Sequence, residues 1–208
     1  MSILQDCQQC PRLTAYRIEQ KHRFPEYRCL PVSAFGDPSA QLLIVGLAPG
    51  LHGANATGRP FTGDASGDLL FATLHKFGFA SSPVSHSCDD EMQLIDCRIT
   101  NAVKCVPPGN RPSGTEIDRC SGYLRSEISA LAPGSILLAL GTIAHRASLK
   151  ALKLTQARYR FYQQAEYDLP DGLKLIDSIH PSKYNQNTRR ITAHMFEATF
   201  DRIRLILQ

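Results

Sequence analysis

The sequence predicts an α/β fold, a three-layer α/β/α sandwich around a central parallel four-stranded sheet. Two observations carry this expectation. Four short apolar runs, Leu42–Val45, Arg98–Val103, Ile136–Leu140 and Leu173–Ile179, lack strict alternation, as strands covered on both faces do. Helix-like stretches lie between them, and strands alternating with helices point to a parallel sheet with helices on both faces.

The first helix is expected over Ser66–Phe77, with Leu69, Leu70, Thr73, Leu74 and Phe77 on one side. The second is expected over Thr115–Leu131, with Ile117, Tyr123, Leu124 and Ile128 facing inward and Thr115–Asp118 resembling a capping box. A third short helix covers Gly141–Leu149, and a long last one covers Thr188–Leu207. In such a sheet ligands gather outside the carboxyl ends of the strands. Three polar, glycine- or proline-containing segments follow strands in this way: Gly46–Asp68, Lys104–Ser113 and His180–Arg190. Three loops at one sheet edge make a site.

The 208 residues fit one domain with a sizeable core. No apolar run reaches the length of a spanning helix and no export signal stands at the N-terminus, so the expectation is a cytoplasmic protein without a membrane partner. The net charge of +4 permits nucleic-acid binding without demanding it. Arg189, Arg190, Arg202 and Arg204 crowd the C-terminus, and Lys104, Arg111 and Arg119 surround the proline-rich loop. Taken alone, such charges read most simply as a solvated surface.

Seven cysteines, an odd number, argue against a disulfide framework. Cys7 and Cys10 form a C-x-x-C pair, whose intervening turn points both sulfurs the same way. Cys105 and Cys120 could complete four-thiolate ligation, and spacing alone does not separate zinc from an iron–sulfur centre. Cys29, Cys88 and Cys97 read as buried thiols, with Cys97 in the core.

The most informative segment is GLAPGLHGANATGRPFTGDASGD, from Gly46 to Asp68. Its glycines let the backbone approach a ligand, Phe61 offers a flat apolar face, and Asp64 and Asp68 offer carboxylates. A phosphate cradle is disfavoured because the Walker lysine is missing. The segment resembles the first motif of the uracil-DNA glycosylase superfamily, in its iron–sulfur-containing type-five branch. The type-four branch carries a Glu where this chain has Leu47, whereas the type-five branch has the G-L-A-P start and F-T-G-D ending found here. TNAVKCVPPGNRPS, from Thr100 to Ser113, is similar to the superfamily's second stretch, and His180-Pro181-Ser182 with Asn185, Asn187 and Arg190 is similar to the H-P-S motif that ends the site.

The resemblance implies a uracil-DNA glycosylase-like fold and a monofunctional glycosylase. It would hydrolyse the N-glycosidic bond of uracil, and of other deaminated or damaged bases such as hypoxanthine and exocyclic cytosine adducts, leaving an abasic site. It implies that Asp64 stabilises the oxocarbenium-like sugar and orients water, and that His180 donates a hydrogen bond to the departing base. Asp68, four residues on, reads as solvated or capping. Phe61 would stack on the flipped base and Asn101 would read its edge, with Gly46 and Ala48 also in the binding site. Ser182 and Asn185 would touch phosphate or groove. No motif positions a lysine for Schiff-base chemistry. Cys7, Cys10, Cys105 and Cys120 would hold a [4Fe–4S] cluster, zinc being the alternative, and the cluster would tie residues 1–35 to the core. The partner would be DNA with a flipped damaged base, bound by a monomer. Other readings are a noncatalytic metal-stapled nucleic-acid-binding protein and a hydrolase of free nucleosides.

Overall fold

The computed structural model describes residues 4–208. In chain order its elements are α1 (Pro11–Arg23), β1 (Phe35–Gly36), β2 (Leu42–Gly46), α2 (Ala54–Thr57), α3 (Ala65–Lys76), β3 (Cys97–Asn101), α4 (Gly114–Ile128), β4 (Ile136–Leu140), α5 (Thr142–Ala151), β5 (Glu166–Asp168), β6 (Lys174–Ser178), α6 (Lys183–Asn187) and α7 (Ala193–Leu207). The sheet runs β1-β3-β2-β4-β6-β5. Its four central strands are parallel and coincide with the four apolar runs, but the sheet has six strands, not four. β1 joins β3, and β5 joins β6, antiparallel at the two edges.

The lack of alternation in the central strands has a direct cause, since successive residues enter two different cores. Leu42, Ile44, Ile136, Leu138 and Ile176 pack with Leu70, Phe71 and Leu74 of α3 and Phe196, Phe200 and Ile203 of α7. Leu43, Val45, Leu137, Ala139 and Leu175 pack on the opposite face with Leu124 and Ile128 of α4 and Ala144, Ala147 and Leu149 of α5. Cys97 is fully buried in the first of these cores, and burial raises its thiol pKa. Cys29 is buried and Cys88 half-buried.

Two expectations about the helices are corrected, and one helix is not among those expected. The capping box of α4 is Ser113 with Glu116, not Thr115 with Asp118, because the helix begins at Gly114. Asp118 instead pairs with Lys150 on the neighbouring α5. The last helix is two: Arg189 sits at φ 55°, a left-handed backbone that ends α6, and the Thr192 hydroxyl accepts from Met195 N at 3.2 Å to start α7. The N-terminal helix α1 gave no usable pattern, since its buried positions are Leu13, Arg17 and Gln20.

Between α5 and β6 lies a buried polar pair. His145 Nδ1 is 2.8 Å from Asp177 Oδ1, and its Nε2 is 2.9 Å from the Tyr159 carbonyl. A carbonyl only accepts, so Nε2 carries a proton, and the second ring nitrogen shares another with Asp177. Burial raises the Asp177 carboxyl, and the His145 contact opposes that rise. His145→Ala strands a buried carboxyl and frees the Tyr159 segment. A loss of about 3–5 kcal/mol is expected, read as a fall in the urea midpoint at unchanged slope.

Candidate active site

The parallel register of β2 and β3 sets Gly46 beside Asn101 at the carboxyl edge of the sheet. There a cavity of ≈ 310 Å³ opens, lined from the first loop by Leu47, Ala48, Gly50, Ala54, Phe61, Asp64 and Ser66, with Asn101, Asn110, His180 and Ser182 closing it. Residues of all three loops singled out in the sequence meet in it. Its size is at the small end of ligand pockets.

Phe61 is held where the pocket needs it. Its backbone adopts φ 56°, a left-handed conformation that a bulky residue keeps only when its surroundings impose it. A Cβ on Gly67 would stand 1.6 Å from the Phe61 carbonyl oxygen, and a Cβ on Gly46 would stand 2.6 Å from the Phe61 ring and 2.4 Å from Asn101 Oδ1. Both glycines are therefore required by close approach. Behind the loop, buried Arg59 bonds Ser85 Oγ at 2.7 Å and Asp90 Oδ1 at 2.5 Å and stacks 4.2 Å from the Phe35 ring centre. Burial alone would raise the Asp90 carboxyl. The His86 N–H, Arg59, and the Met92 and Ser87 N–H groups outweigh it and hold the carboxyl far below the usual range. This buttress is not legible in the sequence, since its two halves lie in segments without a regular pattern.

Asp64 plays two parts with its two oxygens. As N-cap of α3, its Oδ1 accepts from Ser66 N at 2.9 Å and Gly67 N at 3.2 Å. Its Oδ2 accepts no hydrogen bond among the described residues and faces the glycine backbone, where a Cβ on Gly53 would meet it at 2.4 Å. The capping role considered for Asp68 thus belongs to Asp64, while Asp68 is exposed and outside the pocket lining.

The Asn101 amide is buried, and its Oδ1 has no partner. A buried acceptor left unpaired in a pocket wall is costly unless a ligand satisfies it. The His180 ring stacks against Phe61, centres 5.6 Å apart and planes at 25°. Desolvation pushes its pKa down to about 4, against an upward pull from Asp64, so the imidazole is neutral at neutral pH. Asn185 does not line this cavity. Its Nδ2 donates to the His180 carbonyl at 2.9 Å, bracing the loop, and Ser182 Oγ accepts from Asn185 N at 3.3 Å as the cap of α6. Beyond it, Tyr184 in the first turn of α6 is 67% exposed.

The one buried lysine near these loops, Lys104, is spent elsewhere. Its ammonium bonds Thr100 Oγ1 and both Glu127 oxygens, at 3.0 and 2.9 Å. The described residues that line the pocket include no lysine.

On the far side of Ala48, Cys7, Cys10, Cys105 and Cys120 line a single narrow crevice. All four are free thiols. Burial, the largest cause in each case, raises Cys10 and pushes Cys105 up to about 12 and Cys120 up to about 11. The Lys104 N–H points at Cys120 Sγ, 3.3 Å away. Among the described residues no group of three or more His, Cys, Asp or Glu converges as a single-ion site. The segment carrying Cys7 and Cys10 is fastened to α4 by Arg12 on both Glu116 oxygens, at 2.8 and 2.6 Å, and by Arg119 on the Gln9 carbonyl at 2.8 Å.

The fold and site together define an α/β sandwich with a pocket at the carboxyl ends of its parallel strands, an unpaired amide in the wall and a carboxylate in the lining. The chain belongs to the uracil-DNA glycosylase superfamily, whose family model matches residues 33–204. It is 42% identical over 201 residues to a type-5 uracil-DNA glycosylase of Thermus thermophilus, covering 94% of this chain and 91% of that protein. It is also 42% identical over 193 residues to a type-5 uracil-DNA glycosylase of Pyrobaculum aerophilum, covering 91% and 84%. A type-4 uracil-DNA glycosylase of the same organism is 33% identical over 167 residues, covering 77% of this chain and 71% of that protein.

Proposed function

We propose that this protein is a monofunctional DNA glycosylase that hydrolyses the bond between deoxyribose and uracil, or a related deaminated or damaged base, flipped out of DNA. The observation that carries the reading is the unpaired Asn101 amide oxygen buried beside the Phe61 ring. A pyrimidine lying on Phe61 offers that amide a complementary donor–acceptor edge.

Each residue then has a part. Phe61 stacks on the base, and Gly46 and Ala48 leave room for it. Cleavage builds positive charge on the sugar and negative charge on the base. Asp64 Oδ2 faces the first and orients the attacking water, and a neutral His180 donates to the base oxygen. Ser182 and the loop braced by Asn185 meet the DNA backbone, and the exposed Tyr184 ring fills the space that the extruded base vacates. With no lysine in the described lining, the product is a free abasic site with an intact strand. The test is incubation with duplexes carrying one uracil, hypoxanthine or exocyclic cytosine adduct, scored as alkali-labile sites. No excision of any of them would sink the proposal.

Two expected results follow from the geometry. Because His180 loses its proton at about 4, the single-turnover rate shows no break at the pH of an ordinary histidine. A rate that falls tenfold per unit below pH 6.5 would contradict a neutral His180. Tyr184→Ala slows excision from duplex about tenfold, equivalent to about 1.4 kcal/mol, while leaving the single-stranded substrate nearly unaffected, since no stack must be opened there.

We assign a [4Fe–4S] cluster to Cys7, Cys10, Cys105 and Cys120. The donor set fits: four free thiols from three segments line one crevice, with a backbone N–H directed at one sulfur. Four thiolates suit an iron–sulfur cluster, and zinc, which accepts the same donor set, is the alternative. When bound, the group would serve as a staple between residues 1–35 and the rest of one domain, 1–208, and would lie behind the pocket wall at Ala48.

A further inference from the structure

The base pocket is not isolated. Leu47 and His180 are shared with a second hollow of ≈ 240 Å³ that runs over Gly141, Thr142 and Ile143 and past Arg190. Thr142 and Phe161 are in turn shared with a third hollow of ≈ 510 Å³, lined by Arg146, Arg160 and Gln156. The three form one trough leading from the pocket, across the first turn of α5, to the segment before β5. Arg146 stands one helical turn, about 6 Å, along from Thr142.

Most basic side chains elsewhere on the protein are engaged, although Arg23, Arg111, Lys153 and Lys183 are also exposed without a carboxylate partner among the described residues. Arg12, Arg28, Lys76, Lys150, Lys174 and Arg202 are paired with carboxylates. Arg119 and Arg204 are engaged with main-chain carbonyls. Arg146, Arg160 and Arg190 line the trough, Arg158 and Arg189 stand close to them in sequence, and all five are exposed and have no side-chain partner among the described residues. Apolar groups stand among them, with Ile143 39% and Tyr162 55% exposed. The floor is firm, because His145 both lines the third hollow and holds the Tyr159 carbonyl at 2.9 Å.

We infer that this trough is a DNA-strand track, in which Arg190, Arg146 and Arg160 grip successive phosphates on one side of the flipped nucleotide. The inference rests on the glycosylase reading and adds to it the path of the strand. Unpaired guanidinium groups on a surface continuous with a base pocket are the partners that a phosphate backbone selects. Each phosphate contact also releases counterion, so each arginine contributes to the salt dependence of binding.

The test is binding of the full chain to a uracil-containing duplex over a range of salt, comparing wild type with the Arg146→Gln/Arg160→Gln pair. Arg202→Gln, which breaks only the pair with Glu166, is the control. The slope of log affinity against log salt is expected to fall by about 0.9 per arginine removed in the double variant, and not at all in the control. With enzyme at saturation, the single-turnover excision rate of the double variant stays within about twofold of wild type, since neither arginine touches the base. Shortening the duplex on one side of the uracil, but not on the other, should erase the difference between wild type and double variant. An unchanged slope, or a difference that survives shortening on either side, overturns the track while leaving the glycosylase reading intact. A reduced slope in a protein that excises nothing overturns the glycosylase reading and leaves the track as a DNA-binding surface.

Discussion

Asp64→Asn is expected to lower the excision rate by about 10²–10³-fold, the scale of losing one preorganised electrostatic group, with almost no change in thermal stability. The two oxygens explain the separation. Asn keeps an acceptor where Oδ1 receives Ser66 N and Gly67 N, so the cap of α3 survives. The negative charge at Oδ2 is gone. Asp64→Ala removes both and should lose the same rate plus about 1 kcal/mol of stability. Single-turnover excision and a urea titration on both variants separate the parts. Equal rates in Asp64→Asn and wild type would remove Asp64 from the chemistry and leave it a cap alone.

Cys105→Ser is expected to bleach a brown protein absorbing near ~400 nm, the band of a thiolate-held iron–sulfur centre, and to cost at least about 4 kcal/mol of stability. The loss should fall first on the N-terminal segment. The Arg12–Glu116 and Arg119–Gln9 contacts, Arg17 on the Cys7 carbonyl and the packing of Leu13 remain to hold it, and they form a smaller anchorage than the core of the sheet. Amide exchange over residues 7–23 should therefore rise before that of the sheet. Cys97→Ala, buried in the core below the sheet, should keep the full band and iron content while losing only packing. A colourless wild-type protein carrying one zinc would replace the cluster with a mononuclear site.

What the sequence revealed and what it hid have separate physical causes. The four central strands are readable because two-sided burial demands unbroken apolar runs. β1 and β5 are not, since Phe35–Gly36 is too short for a pattern and Glu166–Asp168 is polar at an open edge. α1 hides because it buries an arginine and a glutamine rather than an apolar stripe. In the site, Ala48, Phe61, Asp64, Asn101, His180 and Ser182 are legible as motif residues and meet in one cavity, and Gly46, also a motif residue, lies outside its lining, packed against Phe61 and Asn101. Asn185 was placed in the same loop, yet its amide braces the His180 carbonyl. The Arg59–Asp90 buttress was beyond reach, since nothing in the local pattern marks two residues 31 positions apart as partners. Charge was the least informative feature. Lys104, Arg119, Arg202 and Arg204, conspicuous in the sequence, are bound up in structural contacts, whereas Arg146 and Arg160, which drew no notice there, line the trough unpaired.

The central claim is hydrolysis of one glycosidic bond by a pocket built around Phe61, Asn101, Asp64 and His180. Its most direct test is the product analysis of a duplex carrying a single uracil. The expected result is free uracil released in equal amount to abasic sites, with the strand intact until alkali is added. Strand breaks formed without alkali, or abasic sites absent while the duplex is fully bound, would contradict it.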